Sequence, residues 1–332
     1  PIRLGDGGVC FSGVFLRMDN PSKELRTQAI DPRLEEDLRM LVRLAIREDL
    51  DRGMDLTTVA LVPAEHRGRA RLVARQPGVA CGVDLIAIIL EECDAKVAVE
   101  PHRCDGDRFQ AGDCLAVLSG DARDLLTCER TVLNFLGPLC GIASLADRFQ
   151  QKIAHTSARL LDTRKTTPGW RRLEKYAVRC GGAWNHRMGL FDAVLIKDNH
   201  LASRASKTGQ LLDPAQAVEE ARRFLDQSQP ADTRSGIWIE IEIDSLEQLP
   251  SALQARPDYV LLDNMNTNQL REAVLIRNRM APQVLLEASG GVRLETVAAI
   301  AETGVDRISV GALTHSAINL DIGLDWTWGE GE

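Results

Sequence analysis

The sequence predicts an α/β protein, a (β/α) barrel preceded by a smaller α+β module. Three observations carry this. Beyond residue 155, short apolar runs recur, each ending in polar or charged residues: RLLDTRK (159–165), AVLIKDN (193–199), IWIEIEID (237–244), YVLLDN (259–264), VLLEASGG (284–291) and RISVGA (307–312). Most are followed by stretches of helical periodicity, such as NTNQLREAVLIRNRM and RLETVAAIAETG, and strand–helix alternation marks parallel βα units. No G-x-G-x-x-G follows the first run, which weakens a dinucleotide-binding sheet. Six strands are visible, so a barrel, closed or incomplete, is the expectation.

Residues 1–30 hold scattered Gly, Ser and Asn with little periodicity and are read as an N-terminal extension. Asp31-Pro32 has the form of a helix N-cap with proline at the first helical position. Leu34, Leu38, Leu41, Ala45 and Ile46 then give one apolar face. Strands are expected at 68–75 and 96–100, with a helix at 83–93 between them. GDRFQAGDCLAVLSG reads as a turn and a strand, and an apolar helix runs over 122–136 until Gly137-Pro138 breaks or kinks it. Residues 31–150 thus form the α+β domain and 151–332 the barrel. The stretch 202–236, in which SRASKTG and QSQPADTRSG flank one helical stretch, is longer and more polar than an ordinary connection and is read as a surface insertion.

Composition narrows the function. The 332 residues are 44% hydrophobic and 27% charged, with a net charge of −8, which argues against a general nucleic-acid or membrane-surface binder. No apolar run reaches the roughly eighteen residues of a membrane span. The eight cysteines form no C-x-x-C pair and no zinc-ligand spacing. No secretory pattern opens the chain, so reduced thiols and a cytoplasmic location are expected.

Against that acidic background, residues 164–197 contain eight Lys or Arg and two acids. In a barrel the active site lies at the C-terminal ends of the strands, so Arg164, Lys165, Lys197, Glu242, Asp263 and Ser289-Gly290-Gly291 converge on one mouth. Arg164 offers a planar fork to a carboxylate, and Lys165 and Lys197 act as point charges. His186 and Arg187, in the loop CGGAWNHRMGL, are placed to face the same mouth. Arg171, Arg172, Lys175 and Arg179 fall at helical spacings that suit a solvated outer surface. Glu242 and Asp263 suit Mg²⁺, ribose hydroxyls or a developing cation, and salt bridging with the lysines is the plainer reading. Glu240 shares the face of Glu242 by period two, and pattern alone does not choose between them. The glycines of EASGG and VGALTHS let backbone N–H groups approach a phosphate. Lys197 also fits a Schiff-base lysine. The other histidines, His66, His102 and His155, are read as surface or core residues. The mouth implies two anionic substrates, one of them phosphorylated.

DTRKTTPGWRRLEKYAVRCGGAWNHRMGLFDAVLIKDNH (162–200) resembles the central motif of the quinolinate phosphoribosyltransferase family. REDLDRGMDLTT, ERTVLNFLGPLCGIAS, IEIEIDSLEQL, VLLDNM, LEASGGV and ISVGALTHSA extend the resemblance from about residue 33 to 325. It implies an N-terminal sandwich-like α+β domain and an open seven-stranded (β/α) barrel, with the C-terminal tail packing back on the N-terminal domain. It also implies transfer of phosphoribosyl from phosphoribosyl pyrophosphate to quinolinate, with Mg²⁺, to give nicotinate mononucleotide, pyrophosphate and CO₂. The family is built from homodimers, often assembled further, in which an N-terminal-domain arginine reaches the partner's barrel; Arg130 matches it. By the same resemblance Arg130, Arg164, His186, Arg187 and Lys197 hold the quinolinate carboxylates, and Lys165 lies near the reacting groups. Glu242, preferred over Glu240, and Asp263 form the acidic pair near ribose and metal, and Ser289, Gly290, Gly291 and Gly311 the 5′-phosphate cradle. The alternatives are a sister enzyme using nicotinate and a barrel lyase working through Lys197. The stretch 202–236 is longer than usual for the family, and the extension at 1–30 has no counterpart in its pattern.

Overall fold

A computed structural model describes residues 27–203 and 212–327, which fall into two compact units. Most of the expected extension therefore lies outside the described residues.

The N-terminal unit comprises residues 38–141 and 319–327. Its strands β1 (Arg67–Ala74), β3 (Val97–Pro101), β5 (Cys114–Asp121) and β12 (Ile322–Trp326) form an antiparallel sheet in the order β12-β1-β5-β3. The short pair β2 (Gly78–Val79) and β4 (Arg108–Phe109) stands apart from it. Pairing of β12 with β1 brings the tail into this unit, from Ala70↔Trp326 to Ala74↔Ile322. Leu72 and Leu118 on the sheet, and Ile86 and Ile89 of helix α3 (Ile86–Glu92), are buried in its core. Asp55 caps helix α2 (Leu56–Leu61) by accepting from Thr58 N at 2.9 Å. Helix α1 (Pro32–Leu50) and helix α4 (Ala122–Ile153) each run through a boundary between the units. Gly137-Pro138, expected to break or kink α4, does not end it. Proline removes one donor, but buried apolar side chains on both sides, Leu136 and Leu139 among them, favour continuation of the helix to Ile153.

The second unit holds six parallel strands: β6 (Arg159–Leu161), β7 (Val194–Ile196), β8 (Ile239–Ile243), β9 (Tyr259–Asp263), β10 (Leu285–Ser289) and β11 (Arg307–Ser309). Their order is β6-β11-β10-β9-β8-β7. A seventh backbone segment joins beside β6 through the parallel bridge Leu161↔Trp184, with Trp184 N donating to Leu160 O at 2.9 Å and Asp162 N to Trp184 O at 3.1 Å. No ladder links that segment to β7 among the described residues, so the barrel is open there. Arg187 Nη1 reaches across this opening to Ala193 O at 2.9 Å.

Two sequence expectations fail in this unit. The 202–236 stretch is no insertion where it is described. Helix α6 (Pro214–Ser228) is capped by Asp213, starts on Pro214 and buries Ala217, Val218 and Leu225, as a β7–β8 crossover helix should. Its polar flanks dilute an apolar stripe that is nonetheless present; residues 204–211 lie outside the described residues. Lys175, assigned to an outer surface, is 0% exposed. Helix α5 (Arg171–Cys180) buries six consecutive residues, Leu173 to Val178, so one helical face does not decide burial there.

Candidate active site

Each strand of the barrel sends alternate residues inward. On three strands an inward pair, two residues apart, divides the same way: Glu242 lines an open cavity and Glu240 does not; so too Ser289 and Glu287, and Ser309 and Arg307. The cavity, about 700 Å³, sits at the C-terminal strand ends. Period two puts Glu240 and Glu242 on one face, and depth along the barrel axis separates them. Eleven of the twelve residues singled out from the sequence line the mouth: Arg164, Lys165, His186, Arg187, Lys197, Glu242, Asp263, Ser289, Gly290, Gly291 and Gly311. Arg130 belongs to the other unit, where it is exposed on α4.

The cations arrive by two routes. Arg164 and Lys165 follow the end of β6, and Lys165 O is held by Thr314 Oγ1 at 2.7 Å. The Arg164 Nε is buried and meets no acceptor among the described residues, leaving it to a ligand. Arg187 is 6% exposed; burial and the neighbouring Arg164 cation both push its guanidinium below the ordinary arginine range. Two guanidinium groups held together against their repulsion make a preorganised anion site. Lys197 forms an ion pair with Glu242, so the salt-bridge reading is realised for this carboxylate. Lys197 is also 44% exposed, unlike the desolvated amine a Schiff-base mechanism uses.

At the other end, Gly290 and Gly291 adopt φ of 91° and 60°. A Cβ on Gly290 would lie 2.2 Å from Asn264 Oδ1, and one on Gly311 3.0 Å from Lys165 Cδ. The turn thus needs glycine for both conformation and space, and bare backbone faces the mouth. Asp263 accepts from Asn264 Nδ2 at 2.8 Å.

Beneath the mouth lies a charged layer that pattern did not reveal. Glu240 and Glu287 are 0% exposed. His186 Nε2 stands 3.0 Å from Glu240 Oε2 and 3.4 Å from Glu287 Oε1, while its Nδ1 accepts from Arg187 N at 2.8 Å. Arg307 Nε is 2.8 Å from Glu287 Oε2, and its guanidinium stacks 4.0 Å from the Tyr259 ring centre. Burial opposes a charged imidazole, but Glu287 and Glu240 outweigh it and raise His186 to about 9. A second ring proton would have to displace the Arg187 amide from Nδ1. Burial, then the charge of Glu287, push Glu240 above the usual carboxylate range; Arg307 and His186 overcome burial at Glu287 and hold it at about 2.

Sequence reasoning also missed Thr163, Arg293 and His315, which line the mouth. Arg293 lies two residues beyond Gly291 and His315 four beyond Gly311, so position after a phosphate-type turn was the available signal.

Fold and site together define an α/β-barrel enzyme for anionic, phosphate-bearing substrates. Known proteins sharpen that class. The model of the quinolinate phosphoribosyl transferase C-terminal domain matches residues 142–325, and that of its N-terminal domain matches 55–140. The chain is 44% identical over 292 residues to the carboxylating nicotinate-nucleotide pyrophosphorylase of Mycobacterium leprae, covering 86% of this chain and 96% of that protein. It is 37% identical to a probable enzyme of the same name from Bacillus subtilis, covering 87% and 93%. The solved nicotinate-nucleotide pyrophosphorylase of Francisella tularensis superposes with a TM-score of 0.79 at 34% identity, covering 91% of this chain and 99% of that one. The chain belongs to the quinolinate phosphoribosyltransferase family.

Proposed function

We infer that this chain transfers phosphoribosyl from phosphoribosyl pyrophosphate to quinolinate with decarboxylation, yielding nicotinate mononucleotide, pyrophosphate and CO₂ for NAD biosynthesis. One observation carries the reading: a single mouth gathers Arg164, Lys165, Arg187 and Lys197 at a diacid-binding end and Ser289-Gly290-Gly291 at a phosphate-binding end, with Glu242 and Asp263 also lining it. A lyase through Lys197 needs neither the acidic pair nor the glycine turn, and Lys197 is already ion-paired.

The chemistry follows from these groups. The C1′–O bond of the sugar breaks, its electron pair leaves with pyrophosphate, and positive charge develops on the ribose. Glu242 and Asp263 stabilise that charge electrostatically. The pyridine nitrogen of quinolinate donates its lone pair to C1′, forming the N–C1′ bond and a pyridinium. The bond from ring carbon 2 to its carboxylate then breaks; its electrons remain on that carbon beside the cationic nitrogen, CO₂ departs, and the carbon takes a proton from water. Arg164, Arg187 and Lys197, with His186 at the floor, orient the diacid for attack, and Lys165, whose side chain packs against Gly311 in the same mouth, is assigned to the reacting groups.

Magnesium fits this donor set, since Mg²⁺ takes one or two hard carboxylates alongside substrate phosphates; Glu242 and Asp263 would hold it, and the ion would neutralise charge on the leaving pyrophosphate. A homodimer, in which Arg130 of α4 completes the partner's diacid end, belongs to the same proposal. Exposed Met40, Leu44, Leu56 and Leu61 of the N-terminal unit support an apolar interface. A cytoplasmic location is in keeping with the seven free cysteines of the described residues.

The test is product formation from quinolinate, phosphoribosyl pyrophosphate and Mg²⁺, with nicotinate substituted in parallel. Nicotinate mononucleotide with one equivalent of CO₂ from quinolinate alone is expected. Turnover restricted to nicotinate would overturn the diacid reading. Lys165→Ala should lower kcat about 100-fold or more; a raised KM for quinolinate with kcat intact would remove Lys165 from the chemistry.

A further inference from the structure

The two chain segments that carry the anion-binding guanidinium groups meet at one buried ion pair. Asp162, 0% exposed, stands two residues before Arg164. Its Oδ1 accepts from Lys175 Nζ and from His186 N, the latter at 2.8 Å. Its Oδ2 accepts from Asn185 Nδ2 at 2.7 Å. Lys175, also 0% exposed, donates again to His186 O at 3.0 Å. Asn185 Nδ2 closes the ring onto Lys175 O at 2.9 Å, and Asn185 Oδ1 accepts from Gln28 N. Both backbone polar groups of His186, the residue before Arg187, are therefore fixed by side chains anchored on the end of β6 and on α5.

Stability is a poor explanation for such a pair. Well-packed apolar replacements of a buried ion pair are often neutral or stabilising. What the pair does uniquely is geometric. Arg164 and Arg187 are each no more than two residues from the clamp, a reach of about 7 Å of extended chain, so slack at Asp162 passes directly to the spacing of the guanidinium groups. These cations repel, and two ties hold their segments together: the backbone bonds of Trp184 to Leu160 and Asp162, and beyond them the Asp162 carboxylate, which carries the tie on to His186, next to Arg187. Lys165 is secured separately, through Thr314, and the glycine turn follows β10, which β11 separates from β6 and the clamp.

We propose that Asp162 and Lys175 are positioning residues that set the spacing of Arg164 and Arg187 for a diacid, and so govern quinolinate affinity without touching substrate. The proposal rests on the quinolinate reading above and adds residues that sequence pattern had assigned to a solvated surface or left unremarked.

Two measurements test it. In the free wild-type protein, hydrogen exchange should show the His186 amide strongly protected, with protection unchanged by quinolinate. An unprotected amide that quinolinate alone protects would overturn a preformed clamp. Second, the double variant Asp162→Asn with Lys175→Met removes both buried charges together, which keeps it foldable. Its KM for quinolinate should rise about tenfold to a hundredfold, the scale of a misplacement near 1 Å, with KM for phosphoribosyl pyrophosphate within about twofold of wild type. Equal rises in both constants, or no rise, would reduce the pair to a structural element. Wild-type protein that is protected at His186 yet turns over nicotinate and not quinolinate would defeat the substrate reading and the diacid role together, while leaving a clamp of the two arginines for a mono-acid. Failure of the exchange or the KM split in an enzyme that does turn over quinolinate defeats this proposal alone.

Discussion

The two units of this chain treat charge in opposite ways. Among the described residues of the N-terminal unit, the buried polar side chains are Thr58 and Thr131, both uncharged. Its ion pairs stay at the surface, exposed or half-buried: Arg39–Glu91 at 2.8 Å, Arg103–Asp113 at 3.0 Å, and Arg75–Asp325 with side chains 41% and 47% exposed. The barrel unit instead buries Asp162, Lys175, His186, Glu240, Glu287 and Arg307. Exposed pairs contribute little, and buried ones recover their desolvation cost only with good geometry. The barrel tolerates that cost because its charges stand around and beneath a site that must bind anions. The N-terminal unit has no such task in its core and is packed with apolar side chains.

Breaking this contrast should have graded effects. Arg307→Met leaves Glu287 buried beside Glu240, with His186 as the nearest cation, and should cost about 4 kcal/mol, read from the urea midpoint. A loss below about 1 kcal/mol would place the buried ions on a par with surface pairs. Leu118→Ala in the apolar core of the N-terminal unit should cost about 3 kcal/mol by transfer and cavity terms; a near-neutral result would mean that this core collapses around the void.

The contrast sharpens with pH. Against its burial, His186 is raised from 6.5 to about 9 by Glu287 and Glu240, so the stability that its charged form gains, net of displacing the Arg187 amide from Nδ1, is present below 6.5 and lost as pH rises through 9. The barrel should lose stability across that window, and His186→Gln should flatten the profile. An unchanged slope in the variant would assign the pH dependence elsewhere. The smallest effect belongs to the surface: Arg75→Ala should leave the melting temperature where it was, and a clear drop would show the strand pair β1–β12 leaning on that contact more than exposed pairs do.

Much of this was legible along the chain. Six strand positions follow from short apolar runs with polar ends, and the strand-end rule placed Arg164, Lys165, Lys197, Glu242, Asp263 and the Ser289 turn at one mouth. Arg187 and His186 followed from their loop. Less legible were the place of the helix at 214–228, visible as a helical stretch but read as part of an insertion, and the length of α4, whose Gly137-Pro138 reads as a break or kink. Local pattern reports what a segment prefers in isolation, and packing on both sides overrode it.

By itself, then, the sequence determined the order of strands and helices, the inward face of each strand and the chemistry at its C-terminal end, because periodicity of two and of 3.6 residues fixes direction around an element. Only the tertiary structure decided depth. It put Glu242 at the mouth and Glu240 below it, brought Asp162 and Lys175 together from a strand end and a helix, and built a charged floor from four distant segments. Depth is set by neighbours far along the chain, and no periodicity within a segment encodes them.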